Sequence, residues 1–302
     1  MRLIRDTNIN FVDRRRAFFL FSAALLVVAV ALYFVKGGFN YGVDFTGGTL
    51  LQVRFEEPVG VADVRAAIEA VGEGGASIQQ DDRGDFLIRV RAREFEGGES
   101  NFAAMVRGQF ETSFPGNRFE VLREETVGPR ISRELQNKVL LAVLLGIVGI
   151  LIYVSFRFDL RFGVGAVLAL IHDSLITLGL VLLFNKEITI TVIAAVLTVI
   201  GYSVNDSIVV SDRIREGMRK VRKESFGGLV NRAINEVLNR TVITTSTTLF
   251  VTLTMLTLGA AAIRDFAFVL TIGILVGTYS SIFIVANTVV EWESRLPSKQ
   301  RR

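Results

Sequence analysis

The chain has 302 residues, half of them hydrophobic, a formal charge of +4, one histidine and no cysteine. The lack of cysteine excludes disulfides, thiol nucleophiles and thiolate metal sites, and a lone histidine excludes a multi-histidine centre. A basic balance would suit nucleic acid, but these basic residues flank long apolar runs, where membrane topology accounts for them and no nucleic-acid partner is expected.

The apolar residues are gathered into runs of 18 or more rather than spread at amphipathic spacing. About 20 residues of helix cross a hydrocarbon core, and the runs lack the alternation of a barrel strand. The first span is 17–35, preceded by Arg14, Arg15 and Arg16. It is longer than the usual signal-peptide core and ends at Lys36, Gly37 and Gly38 without a small-residue cleavage site, so a retained anchor is expected.

Residues 36–138 read as an α+β domain. Asp44, Gly47 and Gly48 lie in Val43-Asp-Phe-Thr-Gly-Gly-Thr49, which reads as a tight turn feeding a strand over 49–55. It is not a phosphate loop, because no lysine or helix start follows. Val61, Val64, Ile68 and Val71 share a helix face that Gly72 ends. Strands over 77–80 and 86–90 flank a turn cluster at 81–85, Ser100 caps a helix over 101–114, and 118–122 is the last strand. This order, β-α-β-β-α-β, predicts a ferredoxin-like sandwich.

Five further spans follow at 139–156, 162–184, 188–211, 241–263 and 266–290, making an all-α membrane bundle of six transmembrane helices. Gly273 and Gly277 in the last have the GxxxG spacing that lets helix backbones approach. Residues 1–16, 157–161, 212–240 and 291–302 hold 19 Lys and Arg, against only Lys186 and Arg264 in the two short loops on the other side. The bias places both termini in the cytoplasm and 36–138 outside. The segment 212–240, with Val221, Phe226, Leu229, Val230, Ile234 and Val237, is expected as an amphipathic connector lying along the membrane surface.

Asp206 stands about 9 Å inside the helix end near Asp212. A carboxylate there costs about 2.5–3.5 kcal/mol unless paired, hydrated or protonated, which suits a group that gains and loses a proton. Arg240 opens the fifth span from the same side, at matching depth for a pair across two helices; the alternative is an arginine that snorkels to headgroups. His172 and Asp173 lie near the middle of the third span, either as an extension of a proton path or as helix-packing groups. The hydroxyl run 241–248 has two readings, bonding across helices or bonding its own carbonyls. There is no G-x-S-x-G, H-E-x-x-H or Walker motif, and no enzyme is expected.

The ordered set Val43–Thr49, Val127-Gly-Pro129, Ala169-Leu-Ile-His-Asp173, Gly201-Tyr-Ser-Val-Asn-Asp206 and Asn239-Arg-Thr241 closely resembles the SecF family. That resemblance implies half of a transporter of the resistance-nodulation-division superfamily, in the bacterial inner membrane. It implies work with SecD, driven by the proton motive force, on unfolded preprotein at the SecYEG translocon, with YajC and YidC as further associates and membrane lipids around. Asp206 and Arg240 align with the family's ion-coupling residues, and a third acidic residue comes from SecD. Ser203, in the same motif, completes the candidate coupling set with Asp173 and His172. No cofactor is implied; the coupling ion is a proton, with sodium the alternative. A half-antiporter for lipids or small molecules, or a non-transporting scaffold, are the competing readings.

Overall fold

The computed structural model describes residues 7–81, 83–90, 102–157, 159–220 and 224–296. Ser100 and Asn101 of the expected fourth-helix start, Asp82 of the turn cluster and Val221 of the connector lie outside the described residues. The chain divides into a helical unit, residues 1–40 with 142–302, and a small unit, residues 41–141.

Among the described residues, six helices are long and apolar enough to cross a membrane. They are α1 (Arg15–Val35), α5 (Pro129–Arg157), α6 (Leu160–Leu183), α7 (Ile190–Lys220), α8 (Phe226–Leu258), and α9 (Ala261–Ser280), which runs through a π-helical segment (Ser281–Val285) into α10 (Ala286–Arg295). The expected single span 266–290 is therefore an α-helix interrupted by one wider π turn. Helices α6, α7 and α9 carry the buried faces of this unit, whereas only Ser22 of α1 is fully buried.

The expected surface connector over 212–240 is instead the extended ends of two helices. With 31 and 33 residues, α7 and α8 are about 46 and 50 Å long, well beyond a hydrocarbon core of about 30 Å. Leu229, Val230 and Ile234 have no exposed surface and pack with Ile214, Phe11 and Val12. Apolar periodicity made the helix legible, but its apolar face meets protein rather than lipid. The N-terminal segment is tied to the same place, since Asn235 bonds both the N–H and C=O of Ile9 at 2.9 Å and Asn231 accepts from Phe11 N–H at 2.7 Å.

Beyond Asp206 the extensions are joined by charge. Arg157 meets Asp212 at 2.9 Å, Arg213 meets Glu236 at 2.5 Å and also Glu216, and Arg232 meets Glu224 at 3.0 Å. Arg161 and Glu293, nearly buried, join α6 to α10 at 2.5 Å.

The small unit starts with α2 (Val43–Thr46), one helical turn where a tight turn was expected; Thr46 Oγ1 and backbone N–H groups bond back to Gly42 and Val43. Gly47 and Gly48 then take φ of +68° and +128°, values that side-chain-bearing residues rarely adopt, and lead into β1 (Gly48–Phe55). After it come α3 (Val61–Ala70), β2 (Ser77–Gln80), β3 (Phe86–Val90), α4 (Phe102–Ser113) and β4 (Phe119–Val127). The sheet is antiparallel in the order β2-β3-β1-β4. Strand β4 exceeds the expected 118–122, because its charged residues Arg123 to Glu125 continue the ladder with β1 as far as Gly48 opposite Val127. Leu51, Val53, Phe86 and Ile88 of the sheet pack with Val64, Ile68, Val106 and Phe110 of α3 and α4. Asp85, without exposed surface, accepts from Arg54 at 2.6 and 2.8 Å and from Gln52 at 3.1 Å. That contact holds Arg54 protonated above its ordinary range.

Candidate functional site

Among the described residues, two aspartates are buried inside the helical unit, on neighbouring helices. Asp206 of α7 is 3% exposed, and its Oδ2 finds no hydrogen-bond partner among the described residues. The hydroxyls of Ser207, next in the chain, and of Thr241, next to Arg240, are likewise buried without partners among the described residues. Arg240 acts on Asp206 through space rather than by a hydrogen bond. It lies in the middle of α8, not at a helix start, and is exposed. A buried acid with one oxygen unbonded among the described residues thus stands within electrostatic range of an exposed cation.

Asp173 of α6 is different. It has no exposed surface, and both oxygens are engaged. His172 Nδ1 lies 2.9 Å from Oδ1, while Oδ2 accepts from Ser203 of α7 at 2.5 Å and from Ser280 of α9 at 2.7 Å. The His172 ring stacks on Tyr279 at 5.9 Å, and its Nε2 is buried without a partner among the described residues. Tyr279 in turn reaches α1, its hydroxyl 3.0 Å from Ser22 Oγ and 3.1 Å from the Phe18 carbonyl.

The helices carrying these groups approach closely because of glycine. A Cβ on Gly273 would lie 2.2 Å from Cγ2 of Val199, and one on Gly277 would lie 3.1 Å from Cβ of Ser203. The GxxxG spacing is therefore the α9 surface that receives α7.

The hydroxyl run serves both of its readings. Thr244, Thr247 and Thr248 bond carbonyls of their own helix at 2.9–3.1 Å, whereas Thr245 meets Thr278 of α9 at 2.9 Å.

Of the residues expected in the site, Ser203, Asp173 and His172 are brought together, and Asp206 stands one helical turn from Ser203 on α7. Arg240 joins Asp206 electrostatically. Asp44, Gly47 and Gly48 belong to the small unit. Ser280, Tyr279 and Ser22 were not anticipated. The only signal for them was a pair of serines, Ser280 and Ser281, in an apolar span just past Gly277.

The family model for protein export membrane protein SecD/SecF, C-terminal, matches residues 109–295, and that for the SecD/SecF GG motif matches residues 33–59, which include Gly47 and Gly48. The chain is 43% identical over 288 residues to protein translocase subunit SecF of Calditerrivibrio nitroreducens, covering 94% of each. It is 42% identical over 303 residues to protein translocase subunit SecDF of Thermus thermophilus, covering 98% of this chain and 40% of that one. The crystal structure of SecDF, a translocon-associated membrane protein of Thermus thermophilus, superposes with a TM-score of 0.85 at 42% identity, over 96% of this chain and 39% of that chain. Matched along nearly its whole length by relatives at this identity and by a family model over more than half of it, the chain belongs to the SecF family of protein-export membrane proteins.

Proposed function

We propose that this chain is the SecF half of a proton-driven protein-export complex in the bacterial inner membrane. It pairs with SecD and uses the proton motive force to move unfolded preprotein through SecYEG and release it on the outer side. The observation that carries the reading is Asp206, a buried carboxylate with an unpartnered oxygen on a membrane-length helix, within electrostatic reach of Arg240. SecD as partner is supported by the SecDF relative, of which this chain matches only 40%. The strand order β2-β3-β1-β4 with its two helices supports a ferredoxin-like outer domain, and the six spans support half of a transporter of the resistance-nodulation-division type. YajC, YidC and lipids complete the proposed surroundings, with both termini cytoplasmic and the proton, or sodium in its place, as the coupling ion.

In this reading protonation of Asp206 cancels its attraction for Arg240, α7 and α8 shift, and the outer domains of the pair move. One charge crossing 100 mV supplies about 2.3 kcal/mol, enough to change a two-state ratio by about 50-fold. The test is export of a model preprotein into vesicles with SecD present and expression matched. Asp206→Asn is expected to lose the gradient-dependent component alone. An undiminished gradient response in that variant refutes the assignment, and a gradient response that persists without translocon subunits favours small-molecule antiport instead.

A further inference from the structure

The two intramembrane carboxylates have opposite surroundings, and the difference assigns them different work. A group that takes up and hands on protons needs a free oxygen and a path to an acceptor. Asp206 has the free oxygen. Asp173 does not, being held on Oδ1 by His172 and on Oδ2 by two serines from two other helices. Three helices therefore converge on one carboxylate. Ser203 is one turn from Asp206 on α7, and it sits where the absent side chain of Gly277 admits α9. Ser280 is the last residue of α9 before the π segment Ser281–Val285. Its hydroxyl is also 3.0 Å from the Gly277 carbonyl, and with one proton it serves one acceptor at a time. A π turn inside a transmembrane α-helix commonly marks a place of functional adjustment.

We propose that Asp173 is the positioning residue for Asp206, a clasp that acts through Ser203 and Ser280 to hold α7 at a fixed rotation against α9. The inference rests on the reading of Asp206 as the coupling carboxylate. His172 steadies the clasp from α6 and stacks on Tyr279, which anchors α1 through Ser22 and Phe18. Among the described residues, the titratable or charged groups around the two carboxylates are His172 from α6, which meets Asp173, Tyr279 from α9, which stacks on His172, and Arg240 from α8, which acts on Asp206.

The experiment uses the full chain with SecD and translocon in vesicles, and follows gradient-dependent preprotein export across pH. In parallel, modification of Asp206 by dicyclohexylcarbodiimide, which attacks protonated carboxyls, is followed across pH by mass spectrometry. The Ser203→Ala/Ser280→Ala variant keeps the Asp173 carboxylate but cuts the clasp. Its export profile and its labelling midpoint are both expected to move by at least half a pH unit. Asp173→Asn keeps an oxygen that accepts from both serines and is expected to retain at least a tenth of gradient-dependent export, whereas Asp206→Asn retains none. If the double variant does not accumulate, Ser203→Ala alone is expected to move both profiles.

Lower amplitude with unmoved profiles means the clasp is only structural and overturns the proposal. So does an Asp173→Asn variant as inactive as Asp206→Asn beside an unaltered serine variant, since Asp173 then carries the proton itself. If Asp206→Asn exports normally, the coupling reading fails, and the labelling midpoint still decides whether Asp173 positions Asp206.

Discussion

Gly273→Ala should disturb the packing of α7 on α9 more than any change of similar size on the surface. The added Cβ would meet Val199 at 2.2 Å from Cγ2, 2.6 Å from Cγ1 and 2.9 Å from Cβ. Carbon atoms are comfortable at about 3.5–4.0 Å, so each contact is too short by about 0.6 Å or more. Val199 cannot swing away, because a β-branched residue in a helix has essentially one χ1 rotamer. The helices must part instead, at a level one turn from Ser203 and two from Asp206. Overpacking of this kind costs about 1–3 kcal/mol, or about 5- to 150-fold in the folded-to-unfolded ratio. The assay is thermal unfolding of the purified chain in detergent by circular dichroism, with gradient-dependent export measured on the same variant. Adding Val199→Ala removes the two Cγ contacts and leaves the Cβ one, so it should restore part of both quantities. An unchanged unfolding temperature in Gly273→Ala, or a double variant no better than the single, refutes the packing argument.

Glu293→Ala removes the short contact of Arg161, nearly buried at the start of α6, and leaves it the longer one to Asp159 at 3.7 Å. With that contact remaining, the loss in thermal unfolding should stay below the roughly 3–5 kcal/mol of a fully orphaned buried charge, and Arg161→Met/Glu293→Leu should lose less still. In the small unit, Asp85→Ala removes the acceptor shared by Arg54 and Gln52; Arg54 is 42% exposed, so solvent screening lowers the expected loss to about 1–3 kcal/mol. Hydrogen exchange in β1 and β3 would show it as faster exchange in that sheet, and unchanged rates would refute it. Asn235→Ala frees both polar groups of Ile9. Exchange of the Ile9 amide should quicken about tenfold for each 1.4 kcal/mol lost, while a rate equal to that of the unaltered chain would mean that Phe11 and Val12 alone hold the segment.

What could be read from the sequence was whatever a single helix or strand decides for itself. Membrane-length apolar runs, the alternation in 86–90 and the helix face of Val64 and Ile68 are local properties, and the chain adopts them at those places. The run of threonines behaved locally as well, with three of its hydroxyls returned to their own helix. The misreadings came where a face has no local sign of what covers it. Leu229, Val230 and Ile234 give the same amphipathic signal whether they meet lipid or Phe11 and Val12, which come from more than 200 residues away. Strand β4 was read short because Arg123 to Glu125 look like the end of a strand until β1 is placed beside them.

The same limit separates the two carboxylates. In sequence Asp173 and Asp206 are one signal, an acid in an apolar helix, and that signal fixes a cost without saying how it is met. The structure meets it for Asp173 with Ser203 and Ser280, 30 and 107 residues away along the chain, which converge only because Gly273 and Gly277 admit α7 to α9. For Asp206 the compensating charge among the described residues is Arg240, which is exposed and makes no hydrogen bond to it. A carboxylate satisfied three times over resists any change in its state, because each bond must be given up in turn. One balanced by an exposed cation without a hydrogen bond changes state with less rearrangement, which is what the proposed coupling role asks of Asp206.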